Sequence, residues 1–274
     1  MFKIIIMALL IFIGMVGYDS ITDKAQPTTP VQQEQQKISK HEKSAAMALF
    51  TSLLPPKEEW PSPVHKFYLA FNMDEVIDPI RQNPNWTNLD AMSRDIPQAL
   101  IAIEDHAFYN HGAIAVEGIL RAALANINAG EVVQGGSTLT QQFVKNVFLS
   151  HEQSMERKIE EAVLSLMLED NYSKDEILEL YLNTTYFGAG STGIKQASRT
   201  YFGKAPSALT LAEAAVIASL PYAPTGLNPL ENPEGCKKRQ LLVLAAMHKY
   251  GMINQGQLAE AKAEKIRLTN GTVM

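Results

Sequence analysis

The chain has a single cysteine, Cys236, in 274 residues. No internal disulfide can form, and no Cys or His stands near it at metal-ligand spacing, so a disulfide framework and a structural zinc site are both excluded. There is no long basic run, and the formal net charge is −5. That balance removes the electrostatic footprint of a nucleic-acid binder. No internal repeat is present, and no stretch alternates apolar and polar residues long enough to build a large sheet. What remains is ordinary globular composition, 46% hydrophobic and 19% charged, in a chain long enough for one sizeable domain.

The first feature is apolar. After Lys3 a nearly unbroken run extends from Ile4 to Val16, shorter than the ~20 residues of a typical spanning helix. Gly14, Met15, Val16 and Gly17 make a poor cleavage site, and no cysteine follows to carry a lipid. An uncleaved anchor over residues 1–18 is therefore expected in preference to a cleaved signal peptide. Lys3 before the run and Asp19 and Asp23 after it place the start inside and the rest outside. Residues 19–65 read as a linker, polar and Gln-rich from Gln26 to Gln36, with a short helix at Ala45–Leu54 ended by Pro55-Pro56.

The folded domain is expected over residues 66–270 and to be mainly α. Ser173-x-x-Glu176 and Thr210-x-x-Glu213 both fit the capping box that opens a helix. Leu139, Phe143 and Val147 recur at helical spacing, as do Ile159, Val163 and Leu166 with Met167. Gly130 and Gly251 are helix-stop positions, and Pro221 ends the helix that Thr210 begins.

Three segments could carry chemistry. In Ile103-Glu104-Asp105-His106-Ala107-Phe108-Tyr109-Asn110-His111, adjacent carboxylates raise each other's cost of ionisation, which suits one of them to proton transfer; a solvated pair at a helix end reads the same way. Gln134 to Gln142 runs from Gly135 and Gly136 through Ser137, Thr138 and Thr140 into a helix, an arrangement fit for an anion or simply a capped turn. It lacks the glycine spacing and Lys-Ser/Thr ending of a Walker loop. In Arg157-Lys158-Ile159-Glu160-Glu161, both cations are helical neighbours of Glu161, as surface pairs or as a holder for a pyrophosphate and its metal ion.

In this order the segments closely resemble the motifs of the peptidoglycan glycosyltransferases, glycosyltransferase family 51, found in bifunctional penicillin-binding proteins and in monofunctional transglycosylases. Glu104, Asp105, Phe108 and His111 match the first motif, Gly135 to Gln142 with Lys145 and Asn146 the second, and Arg157, Lys158 and Glu161 the third. A fourth follows in Ile177 to Asn183 with Tyr186-Phe187-Gly188, and a fifth region in Ala197–Lys204 and Leu209–Pro229. The likeness extends over about Pro97 to Ile253.

The resemblance implies a lysozyme-like helical domain with a smaller membrane-associated lobe. It implies polymerisation of lipid II into β-1,4-linked glycan strands, with inversion and release of undecaprenyl pyrophosphate. Glu104 would be the general base. Glu161 would act with Lys145, Arg157 and Lys158 on the pyrophosphate, with a divalent metal such as Mg2+. Ser137, Thr138, Gln141 and Gln142 would line the donor side of the cleft beside Asp105, Phe108 and His111, while Glu179 and Asn183 would hold helices in place. The implied partners are lipid II, the growing glycan, the bacterial cytoplasmic membrane and penicillin-binding transpeptidases, with the domain on the extracytoplasmic face. Neither Ser-x-x-Lys nor Lys-Thr-Gly occurs, so a monofunctional enzyme insensitive to β-lactams is expected.

Three positions depart from the family pattern. Ala113, preceded by Gly112, replaces a usual glycine, Ala115 a common aspartate, and Gln153 a usual arginine. Two other readings remain: a non-catalytic scaffold that binds lipid II in the envelope, and a lysozyme-like glycan hydrolase or lytic transglycosylase.

Overall fold

A computed structural model describes residues 68–69, 72–115, 117–118, 136–149 and 154–274. The expected anchor at 1–18, the linker at 19–65, and Gly130, Gln134, Gly135 and Gln153 lie outside these residues. The chain divides into two compact units, residues 1–79 and 80–274. In the first, Asn72 donates through Nδ2 to the Tyr68 carbonyl at 2.9 Å, and the Tyr68 hydroxyl donates to Glu75. Helix α1 (Asp74–Arg81) opens on Asp74 and Glu75, acids placed where the helix dipole favours them.

The second unit is helical: α2 (Asp95–Glu104), α3 (Leu139–Phe148), α4 (Met155–Asn171), α5 (Lys174–Thr184), α6 (Ile194–Phe202), α7 (Leu211–Ser219), α8 (Pro233–Lys249) and α9 (Gln255–Ala263). Extended pairing among the described residues is limited to isolated bridges, Tyr186 with Thr192 and Arg267 with Val273. No described helix is long and apolar enough to cross a membrane.

Two packed groups organise the unit. In one, α7 lies against α2 and α8, which also touch each other; in the other, α3 lies against α4 and α5. α7 is apolar almost all round, and Ala212 to Ser219 are all buried, as expected of a central helix. α8 buries Cys236, Gln240, Val243, Leu244 and Met247 at helical spacing. α6 touches both α5 and α7 and so joins the groups.

The expected caps form. Ser173 accepts from the Glu176 amide and Thr210 from the Glu213 amide, with both return bonds present. α7 stops at Ser219, where a 3-10 turn at Leu220–Tyr222 carries Pro221. Gly251 follows α8 with φ +73. The stripe expected on α4 is only partly buried: Met167 is in the core, but Ile159 is 63% exposed, and Glu161, Leu164, Ser165 and Leu168 are buried beside Met167. The buried face holds polar side chains because they have internal tasks; Ser165 donates to the Glu161 carbonyl at 2.6 Å.

After α5 the chain turns so tightly that two positions exclude a side chain. A Cβ at Gly188 would stand 2.2 Å from the Pro224 carbonyl oxygen, and one at Gly193 2.6 Å from that of Asn183. Both have positive φ, which glycine adopts without strain.

Candidate active site

α2 is embedded along most of its length, with Ile96, Ala99, Leu100, Ile101 and Ala102 buried. Its last residue, Glu104, therefore carries a carboxylate to the edge of the core. The helix ends at Asp105, whose φ of −157 leaves the helical region, and the 3-10 turn Phe108–Asn110 returns the chain with Phe108 fully buried.

Glu104 accepts a 3.0 Å hydrogen bond from the Gln142 amide nitrogen on α3. The Gln142 carbonyl oxygen in turn accepts from the Tyr181 hydroxyl on α5 at 3.1 Å. Burial pushes the Glu104 carboxyl above its usual range, against the Gln142 hydrogen bond and the Arg239 and Lys145 charges, which pull it down. The adjacent Asp105 also raises it, but as the smallest of these influences. Loss of solvent, rather than the neighbouring charge suggested by the sequence, chiefly tunes this group.

Asp105 has other work. One oxygen meets His111 Nε2 at 2.6 Å, and the other accepts the Leu139 backbone amide at 3.1 Å. His111 Nδ1 donates to the Gly112 carbonyl at 2.6 Å. Both ring nitrogens thus face acceptors, an arrangement complete only for the imidazolium. Burial alone lowers the His111 pKa, but its bonds to Asp105 and Gly112 outweigh that and leave it raised.

The start of α3 is tied down from within. Thr138 accepts the Gln141 amide at 3.1 Å, and Gln141 Oε1 accepts the Thr138 amide at 3.0 Å. The Thr138 hydroxyl donates to the Ala113 carbonyl at 2.7 Å. Both side chains are buried, so they shape the helix start rather than stand open in a cleft. Ala113, where the family pattern has glycine, is buried without conflict.

Ser137 and the third segment face each other. Lys158 donates to Ser137 Oγ at 3.3 Å and pairs with Glu161. Glu161 is 1% exposed, yet its Oε2 has no hydrogen-bond partner among the described residues, and neither has the buried Nε of Arg157. Among the described residues no three His, Cys, Asp or Glu side chains cluster to hold a metal ion. A metal here would rest on Glu161 together with oxygens of a bound ligand, a donor set that suits Mg2+. Lys145 is exposed on α3.

Behind these groups lies a supporting layer. Glu169 accepts from Thr140 at 2.5 Å and from Lys174 at 2.6 Å. The Lys174 ammonium stands 4.5 Å from the Phe108 ring centre, and Tyr109 donates to Asp175 at 2.7 Å. Glu179 accepts the Leu89 amide at 2.6 Å, while Asn183 accepts the Thr87 amide and donates to its carbonyl, both at 2.9 Å. Glu179 and Asn183 are thus occupied in holding the 87–89 segment to α5.

The sequence did not single out Tyr181 or Arg239. Tyr181 sits within the fourth motif as an ordinary apolar position at helical spacing, and only tertiary packing brings its hydroxyl to Gln142. Arg239 lies on α8 with its guanidinium 4.1 Å from the ring centre of the exposed Tyr222, and no spacing in the sequence marked it out from the neighbouring Lys237 and Lys238.

Comparison with known proteins bears on this arrangement. Residues 73–248 match the transglycosylase family. A Cupriavidus necator protein named as a transglycosylase is 41% identical over 194 residues, covering 71% of this chain and 84% of that protein. Penicillin-binding protein 1A of Neisseria flavescens is 44% identical over 185 residues, and penicillin-binding protein 2D of Bacillus subtilis 45% over 181. These cover 68% and 66% of this chain, which spans only 23% and 26% of the two penicillin-binding proteins.

Proposed function

The chain belongs to the transglycosylase family, and from that premise we propose that it polymerises lipid II into peptidoglycan glycan strands. The observation that carries the reading is the environment of Glu104: a desolvated carboxylate with raised pKa, oriented by one amide and flanked by cationic charge. Such a group is tuned toward the working range of a general base.

In this mechanism the 4-hydroxyl of the acceptor N-acetylglucosamine attacks the anomeric carbon of the N-acetylmuramic acid at the reducing end of the growing chain. Its proton passes to the Glu104 carboxylate as the new C–O bond forms. The bond from the anomeric carbon to the pyrophosphate breaks, its electron pair leaves with undecaprenyl pyrophosphate, and configuration inverts. Arg157, Lys158 and Lys145 hold and neutralise the leaving group, and Ser137 extends that surface. Glu161, whose Oε2 has no partner among the described residues, would hold a divalent metal such as Mg2+. When bound, the metal supplies charge neutralisation at the pyrophosphate oxygens. Asp105, Phe108, His111, Thr138, Gln141 and Gln142 shape and support the substrate site around Glu104.

A hydrolase reading needs a second carboxylate working with the first across a glycosidic bond. The neighbouring Asp105 is held by His111 and the Leu139 amide, which leaves it poorly placed for that role. We place the catalytic domain on the extracytoplasmic face of the cytoplasmic membrane, over residues 66–270. It is anchored by residues 1–18 through the 19–65 linker, has a smaller membrane-associated lobe, and works beside penicillin-binding transpeptidases.

The test supplies the purified full chain with lipid II, Mg2+ and detergent and, separately, with finished glycan. Strand growth from lipid II is the expected result. Cleavage of finished strands without growth would establish the hydrolase instead, and lipid II binding without growth the scaffold.

A further inference from the structure

The Gln142 side chain stands between two groups that set its orientation. Its nitrogen donates to Glu104 Oε2 at 3.0 Å and its oxygen accepts from the Tyr181 hydroxyl at 3.1 Å. A primary amide can turn over and exchange its nitrogen and oxygen at almost no cost in shape. Turned over, it would set its oxygen against the Glu104 carboxylate, two acceptors facing each other. Tyr181 opposes that state, because turning the amide over breaks the bond its hydroxyl donates to the amide oxygen and leaves that hydroxyl only able to accept from Gln142. It is itself firmly held: Tyr181 is 1% exposed on α5, and burial keeps its hydroxyl protonated by pushing its pKa far up. One turn on, the buried Thr185 Oγ1 adjoins that hydroxyl.

We propose that Tyr181 is a positioning residue for the general base, fixing the Gln142 amide so that its N–H is always presented to Glu104. The inference rests on the proposed function in naming Glu104 the base, but its physical content is the alignment of one hydrogen bond. That bond favours the ionised carboxylate. Removal of the Tyr181 hydroxyl frees the amide to turn over, weakens the bond on average, and moves the Glu104 carboxyl further up. The chain Tyr181–Gln142–Glu104 thus runs from a buried hydroxyl on α5 through α3 to the end of α2, so three helices set the state of one proton.

Tyr181→Phe keeps the ring and removes only the hydroxyl. Its expected effect is an upward move of the acidic limb of the pH profile of kcat/KM by about half to one pH unit, the scale of one weakened hydrogen bond to a charge. KM for lipid II at the pH optimum should hardly change. Gln142→Leu should move the limb at least as far, and the double variant no further than Gln142→Leu alone, since both act through one bond. A second readout needs no turnover: the Glu104 carboxyl titrated by carbon NMR in the full chain, with Glu104→Gln to assign the signal. A raised Glu104 titration in Tyr181→Phe supports the inference even if lipid II is not polymerised, in which case the proposed function alone fails. An unmoved carboxyl, or shifts from the two single variants that simply add, would overturn it. If Tyr181→Phe melts early, 3-fluorotyrosine at the same position, a stronger donor of the same size, should move the limb the opposite way; no movement would count against the inference.

Discussion

The two sides of the candidate site are finished to different degrees. Around Glu104, Asp105, His111, Gln142 and Tyr181 the hydrogen bonds form a linked set, and each of these side chains has a protein partner. Around Arg157, Lys158 and Glu161 two buried polar atoms, Arg157 Nε and Glu161 Oε2, have none among the described residues. A buried acceptor or donor without a partner is costly when nothing arrives to meet it. The base side is preset by the protein alone. On the proposed function, the leaving-group side would be completed by a ligand that carries its own oxygens and cation.

Four expectations would break or sharpen that contrast. The largest concerns the preset side: Glu104→Gln should reduce polymerisation by about 10²–10⁴-fold, the usual contribution of a general base. Its melting temperature should not fall, because the amide replaces a desolvated charge and still accepts from Gln142. Loss of folding in circular dichroism would show that Glu104 is structural instead. Next, Glu161→Gln should lower activity by roughly 10²-fold and flatten the response to added Mg2+, which Glu104→Gln should leave intact in donor binding. A Mg2+ titration of both variants separates the sides, and equal responses would erase the distinction.

The third and fourth concern how the preset side is held. His111 titrates above its ordinary value in the folded chain. Its pairing with Asp105 therefore contributes fully below the unfolded pKa, near 6.5, and is lost as pH rises through the higher folded value. Asp105→Asn should accordingly cost about 1–3 kcal/mol in mildly acidic buffer and less at alkaline pH, as read by denaturant melts at both. A cost independent of pH would mean that the Leu139 contact, not the ion pair, carries the effect. Thr138→Ala, which removes a helix cap, should cost about 1 kcal/mol with little change in KM; a large KM change would put Thr138 in direct contact with substrate.

What the sequence disclosed follows the range of the forces involved. The caps at Ser173 and Thr210 are local, a side chain meeting a backbone amide three residues on, and both form where the spacing predicts. The helical character of the domain was legible for the same reason. The buried face of α4 was not, because Glu161 and Ser165 occupy it for reasons of bonding rather than hydrophobicity. The pairing of Lys158 with Glu161 was visible as an i, i+3 spacing. The environment of Glu104 was only half visible: the sequence showed its charged neighbour Asp105, while the desolvation that dominates comes from helices far away in the chain. Tyr181 and Arg239 act across α5 and α8, a kind of contact that no spacing rule along one segment encodes.

Asp105 makes one more thing observable. Because one of its oxygens holds His111 and the other the first amide of α3, that amide is a reporter built into the backbone. Hydrogen exchange at Leu139 should quicken over the pH range where the imidazolium loses its proton, beyond the ordinary base-catalysed rise. The titration of a side chain is then written into the exchange rate of an amide 28 residues further along the chain, readable without any substrate.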